Sequence, residues 1–436
     1  MKRNKENRSS LLVKNVVLSF VVKGWSALVV LLMVPLTLKM LGAYTNGVWL
    51  TISGILMWID FMDIGLGNGL RNAVANYVAV SDDVKLREAV SSTFFMLVTI
   101  VVPVFLVLCG IVCFADLYGA LGVSRGVVPD LDIALIVAAL LACTTFVLKS
   151  IGNFYMGLQL PVVNSLIVSL GQTLALVLTF AAWLMGFRSL VSVVVVNVTS
   201  PLLVWLVSYP CTFVWKYPQY RPALKFVSMK MSKTLCNTGI QFFILQICAV
   251  VLFTSTNIII SRIFSPAEVT PYQVAYRYFS IFLVVFNTIC MPFWNATTDA
   301  YARGDMAWIQ RMSHKLNLLV LLVFAGLLVM VLLSDMVYAV WVGNEVRIPM
   351  SLSASTALYI FILCASMRYS YILSGLNVLR IQLVFTIAAT IAYLPLTWLV
   401  CKTFGTVTSL VCVMCLVNVP GLIANMWKYE QILKKR

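Results

Sequence analysis

Three basic side chains stand in stretches where a charge is costly. Lys23 lies about nine residues into one long apolar run, Arg277 about seven into another, and Arg368 about seven from the end of a third. An ionisable residue at membrane depth is a functional hypothesis by default, and deep cations suit an anionic ligand. The competing reading is that the long stems snorkel along a helix and deliver the charge to the headgroups. For Arg368 the two readings stand level. For Lys23 and Arg277 the ligand reading leads, because each has roughly two turns of apolar helix to climb at about 5.4 Å per turn.

Asp60 and Asp63 are three residues apart and share a helix face. They can pair with a cation, carry H⁺ or Na⁺, or bond locally to Arg71 or to backbone freed at the span's end; the local reading is the slightly stronger one. Gly65, Gly67 and Gly69 at alternate positions loosen this helix end, which suits a gate or a close-packed crossing. Asn68, Asn72 and Asn76 recur every four residues and line one polar stripe if the helix continues. Trp25 and Trp58 lie deep enough to stack on a sugar ring, although core packing is the better reading. Trp205, Trp215, Trp294 and Trp427 fall near expected interfaces and read as belt anchors.

These residues need elements that hold them inside a bilayer. Hydrophobic residues make up 61% of the 436 and charged ones 11%, more apolar surface than a soluble domain can bury. A span takes roughly 20 apolar residues. Such runs lie near 15–38, 46–64, 90–115, 131–149, 161–185 and 190–213, then 239–264, 271–293, 316–335, 351–375, 380–401 and 405–426. The expected fold is an all-α polytopic membrane protein with about 12 transmembrane helices; the runs are too long and too uniformly apolar for barrel strands. With the N-terminus in the cytoplasm, 22 Lys and Arg fall inside and 6 outside, which orients both termini inward. The same asymmetry explains the net charge of +16 without nucleic acid, as a basic collar over anionic lipid headgroups. The basic start followed by an apolar run imitates a signal peptide, but the run is too long and no small-residue cleavage site follows. Cys412 and Cys415 spell C-x-x-C inside a span, without a second pair or a nearby histidine, and read as packed thiols. The single histidine, His314, sits at a span's edge. No metal site and no catalytic constellation is expected.

The chain divides into two halves on one plan: 1–214 with six spans, a basic cytoplasmic linker 215–238, and 239–436 with six more. At an offset near 224, Lys39 and Gly42 match Arg262 and Ser265, a cation followed by a small turn residue before the next span. Tyr77 and Tyr301 also coincide, each with an Asp within five residues. Six spans is an even number, so the halves are parallel repeats, and two such bundles predict a central cleft for alternating access. Pro35, Pro103 and Pro395 lie inside spans and predict kinks.

Two passages go beyond composition. One is Leu41 to Trp49, followed by Asp60 to Asn72 and Val90 to Thr93; the other is Pro266 to Val269, Tyr276–Arg277, Pro292 to Ala296 and Ala300 to Trp308. Together they resemble the Wzx-type flippases for O-antigen and other polysaccharide repeat units, of the multidrug/oligosaccharidyl-lipid/polysaccharide (MOP) exporter superfamily. The resemblance implies a MATE-like, two-lobed transporter of the bacterial inner membrane. It would move an undecaprenyl-diphosphate-linked oligosaccharide from the cytoplasmic to the periplasmic leaflet, for O-antigen or other surface polysaccharide synthesis. It also implies cavity-facing cations on spans one and eight, where Lys23 and Arg277 stand, and working partners among glycosyltransferases and a polymerase. Span seven offers Gln241 and Gln246 but no charge, a departure from a symmetric cation there, and Arg368 has no matching family motif. The alternatives are a multidrug/cation antiporter, which predicts an acidic cavity, and a polysaccharide polymerase or ligase, which predicts a large outer loop. The longest outer segment, Asp116 to Asp130, has 15 residues.

Overall fold

A chain this apolar has one economical way to satisfy its backbone without water, which is to bond each N–H and C=O within its own helix. The computed structural model describes residues 2–434 except 61–65, 236–246, 249–250, 253–254, 303–304, 344, 377 and 379, and among the described residues it is helical throughout its long elements. The chain forms two compact units, 1–250 and 251–436.

The first unit holds α1 (Lys2–Asp60), α2 (Leu66–Ala79), α3 (Asp83–Phe114), the short α4 (Leu117–Leu121), α5 (Leu131–Leu148), α6 (Ser150–Gly157), α7 (Pro161–Leu184) and α8 (Leu190–Pro210). A single π-helical turn, Cys211–Lys216, continues α8. The second holds α9 (Thr256–Ile263), α10 (Pro266–Ala302), α11 (Met306–Trp341), α12 (Met350–Gly375), α13 (Arg380–Phe404) and α14 (Val407–Lys434). In the first unit α8 packs on both α5 and α7, and α1 lies against α7; in the second, α12 is central, touching α10, α11 and α14.

Among the described residues, ten helices are long and apolar enough to cross a membrane. The first of these, Val21–Ile59, has 39 residues and would run about 58 Å, roughly twice the hydrocarbon core of ~30 Å. It therefore contains two expected spans, and it breaks at Gly42, whose φ of 70° and ψ of 169° are not helical. The expected seventh span, 239–264, lies largely outside the described residues, so Gln241 and Gln246 are not placed. The expected ninth span is longer than anticipated: α11 begins ten residues earlier, at Met306, because its polar first turns extend the helix beyond the apolar run.

The repeat seen in the sequence has a structural counterpart at the start of the third span in each unit. Asp82 caps α3 by accepting from the Lys85 N–H at 3.0 Å, and Asp305 caps α11 by accepting from the Trp308 N–H at 2.9 Å. In both, the Asp N–H returns to a carbonyl five residues back, Tyr77 in one and Ala300 in the other, each at 2.9 Å. That is the closing bond of a Schellman turn, and Ser81 supplies its left-handed residue at φ 55°.

Small residues set the closest helix approaches. A β-carbon on Gly157 would stand 2.6 Å from Val74 Cβ and 2.8 Å from the Arg71 carbonyl oxygen, so α2 and α6 touch backbone to backbone. Gly157→Ala is expected to cost about 1–2 kcal/mol by overpacking, read as a lower thermal midpoint of the purified protein in detergent. An unchanged midpoint would mean the crossing is looser than this.

Candidate functional site

Lys23 is exposed on α1. One half-turn on, Trp25 is 49% exposed, and its indole N–H donates to Thr173 Oγ1 of α7 at 2.9 Å. Trp25 is thus not a core side chain, contrary to the sequence reading; its one polar atom is tethered and much of its ring is open. Thr173 in turn donates to the Ser169 carbonyl, and the adjacent Gln172 has a buried Oε1 with no hydrogen-bond partner. The sequence analysis did not single out this polar strip on α7, whose side chains carry no charge. Trp58 is half-buried. Trp205, read as a belt anchor, is 3% exposed and packs against Gly152; its place is the buried hydrophobic cluster of the first unit, with Phe154, Ile167 and Phe213. Trp215 and Trp427 are exposed as expected, and the Trp294 side chain is not described.

The glycine-rich end of α2 is described in part. Asp63 and Gly65 lie outside the described residues, as do the side chains of Asp60 and Asn68. Gly67 and Gly69 are buried. A β-carbon on Gly69 would stand 2.7 Å from the Leu235 carbonyl oxygen, so at this position the close-packed crossing is what the structure shows. The helix does continue, and Arg71, Asn72 and Asn76 are exposed along it.

In the second unit Arg277 is half-buried on α10, and the same unit holds several buried side chains that are polar at their tips. One turn earlier, Gln273 Nε2 donates to Asn257 Oδ1 at 2.6 Å. Tyr272 and Tyr276 stack with ring centroids 6.0 Å apart, and Tyr393, fully buried, shares a 3.1 Å hydrogen bond with Thr256. The Tyr359 hydroxyl is buried without a partner. Four tyrosines inside one membrane-depth bundle are a signal the sequence carried, since a buried phenol ordinarily needs a polar neighbour.

Arg368 does not snorkel. It is 8% exposed; one terminal nitrogen donates to Tyr369 Oη at 3.1 Å and the other to Ser313 Oγ at 2.9 Å. Its guanidinium carbon lies 4.3 Å from the Tyr369 ring centre, and Tyr369 packs on Tyr429 at 5.8 Å. The side chain joins α11, α12 and α14. Both terminal nitrogens are committed inside the unit.

Among the described residues one ion pair forms, Lys85 with Asp82 at 3.1 Å, outside the apolar spans' centres. The Asp82 carboxyl is held below its ordinary value by the Lys85 backbone N–H and then by the Lys85 ammonium. Nearby, Tyr220 donates to Asp83 Oδ1 at 2.6 Å, which pushes its phenol up. Lys23, Arg277 and Arg368 have no carboxylate within 4 Å among the described residues. Cations at membrane depth with no carboxylate beside them among the described residues are electrostatically ready for an anion and ill-suited to a cationic ligand.

Residues 12–293, more than half of the chain, match the family described as polysaccharide biosynthesis protein. The chain belongs to that family. A Salmonella typhi protein named "Putative O-antigen transporter" is 23% identical over 372 residues, covering 80% of each chain. In fold, this family member is similar to an inward-facing multidrug resistance MATE family transporter of the MOP superfamily, with a TM-score of 0.75 at 15% identity over 93% of this chain and 96% of that one. A MATE in the straight conformation gives 0.65 at 16% identity over 97% and 96%, and an outward-facing MATE family transporter gives 0.60 at 17% over 95% and 97%. The fold is the all-α, MATE-like fold of that superfamily. The expected likeness to its Wzx-type polysaccharide branch holds, and the proteins that this chain resembles in sequence and in fold are transporters rather than enzymes.

Proposed function

We propose that this protein flips an undecaprenyl-diphosphate-linked oligosaccharide repeat unit from the cytoplasmic to the periplasmic leaflet of the bacterial inner membrane, with both termini cytoplasmic. The observation that carries the reading is the pair of membrane-depth cations, Lys23 in one unit and Arg277 in the other, in a polysaccharide-family chain whose described residues set no carboxylate beside them. A glycan and a diphosphate cannot cross hydrocarbon unaided. Lys23 and Arg277 neutralise the diphosphate, the exposed face of Trp25 offers a ring for a sugar to stack on, and the polyprenyl tail stays in lipid. Moving two negative charges outward is favoured by an inside-negative potential at roughly 2.3 kcal/mol per charge per 100 mV, about 4–5 kcal/mol in all. That drive supports export without ATP, and Asp60 or Asp63 is the place to look for H⁺ or Na⁺ coupling. Glycosyltransferases and a polymerase would act before and after this step.

The test is surface polysaccharide in the native host. Lys23→Ala and Arg277→Ala are expected to lower it at least tenfold with undiminished folded protein, while Lys23→Arg and Arg277→Lys keep most of it; tenfold corresponds to about 1.4 kcal/mol. Normal polysaccharide from both alanine variants would overturn the assignment. The fold alone would also suit a multidrug antiporter, and export of cationic dyes by the wild type, unaffected by either substitution, would decide for that reading.

A further inference from the structure

The first unit contains a groove of about 540 Å³ that the transport reading does not use, a volume in the range of small-molecule sites. One wall is the α7 face made by Val163, Ile167, Leu170 and Leu174, spaced three and four apart; the other is α8, with Leu203 and Val207. Leu170, Leu203 and Val207 are exposed, so the groove is open along an apolar flank. Its hydroxyl-rich end is where α8 widens into the π-helical turn: the Tyr155 and Thr212 hydroxyls meet there at 3.0 Å. π-Turns of this kind gather at functional sites. The same turn ends on Lys216, whose ammonium lies 5.7 Å from the Tyr155 ring centre and 5.6 Å from that of Tyr217. Lys216 is exposed, with no carboxylate within 4 Å among the described residues.

The site is therefore amphiphilic along its length, hydrocarbon at one end and cationic at the other. Val163 to Leu174 is twelve residues, whose α-carbons span about 16 Å of helix, close to the ~15 Å of one leaflet's hydrocarbon. That length suits one acyl chain and is too short for a polyprenyl tail of many isoprene units. We propose that this groove binds an acyl chain of an anionic phospholipid, with the headgroup phosphate at Lys216.

Native mass spectrometry of the delipidated full-length protein, titrated with phosphatidylglycerol or phosphatidylcholine of identical chains, tests this. The wild type is expected to prefer phosphatidylglycerol about fivefold, the ~1 kcal/mol that one basic residue is worth at an anionic surface. Lys216→Gln, a surface change that leaves the fold alone, should equalise the two lipids. Val207→Trp should fill the groove and lose the bound lipid, whereas Leu332→Trp, which puts the same indole at an exposed position of the second unit, should bind as wild type. Equal binding of the two lipids by the wild type would overturn the proposal. So would unchanged binding in Val207→Trp, an equal loss in Leu332→Trp, or displacement of phosphatidylglycerol by polyprenyl phosphate at lower concentration.

Discussion

Arg368→Ala is expected to destabilise the second unit by about 2–5 kcal/mol, the largest loss from any single truncation considered for this chain. The guanidinium is 8% exposed and bonds Ser313 on α11 and Tyr369 on α12, beside Tyr429 on α14. Alanine removes three things together: the packed stem, the cation over the Tyr369 ring at 4.3 Å, and the donors that Ser313 and Tyr369 accept from. A buried hydroxyl that loses its partner costs about 1–3 kcal/mol, and the cavity adds to it. Arg368→Met separates these terms. It refills most of the volume and also removes a buried charge that has no carboxylate within 4 Å among the described residues, which is itself unfavourable. Methionine should therefore recover more than half of the loss, read as unfolding midpoints in detergent. Because both terminal nitrogens are already engaged within the unit, transport should follow the amount of folded protein in both variants. A fully folded Arg368→Met that exports nothing would instead place this guanidinium among the substrate contacts.

The fate of Arg368 shows what a sequence carries and what it does not. Apolar run length gave the spans because bilayer thickness is a one-dimensional constraint, and every described run of that length is helical. Turn chemistry was legible for the same local reason. Gly42 and Ser265, aligned by the repeat, both stand where one span hands over to the next: Gly42 breaks α1, and Ser265 Oγ accepts from the Ala267 N–H at 3.1 Å just before α10. Asp82 and Asp305 carry the matching caps. Depth was legible too, but azimuth was not. Whether Arg368 climbs to the headgroups or turns inward depends on Ser313, 55 residues away on another helix, and no periodicity within α12 encodes that partner. Trp205 and Trp25 exchanged their expected places for the same reason: Trp205 sits near a predicted interface yet is covered by Gly152 of α6, while Trp25 sits deeper yet stays half-open with only Thr173 holding its indole. The Ser169–Gln172–Thr173 strip, which carries neither a charge nor a ring, needed the packing to be seen.

Gly42 supports the second large expected effect. At φ 70° and ψ 169° it occupies a backbone region that is essentially reserved for glycine, where an L side chain costs of order 1–3 kcal/mol. A β-carbon there would meet nothing within 4 Å, so the cost of Gly42→Ala is backbone strain alone, with no clash mixed in. The joint cannot easily relax, because closing it into regular helix would fuse two spans into a rod of about 58 Å, which fits no bilayer of ~30 Å. Gly42→Ala is thus expected to lower the unfolding midpoint and the yield of membrane-inserted protein together. Asparagine makes the test sharper. It tolerates the left-handed helical region near ψ 47°, but ψ 169° lies far from that basin, so Gly42→Asn should be as damaging as alanine. If asparagine were tolerated and alanine were not, the joint would sit in the left-handed helical basin, and the first two spans would meet at a different angle from the one the break at Gly42 sets.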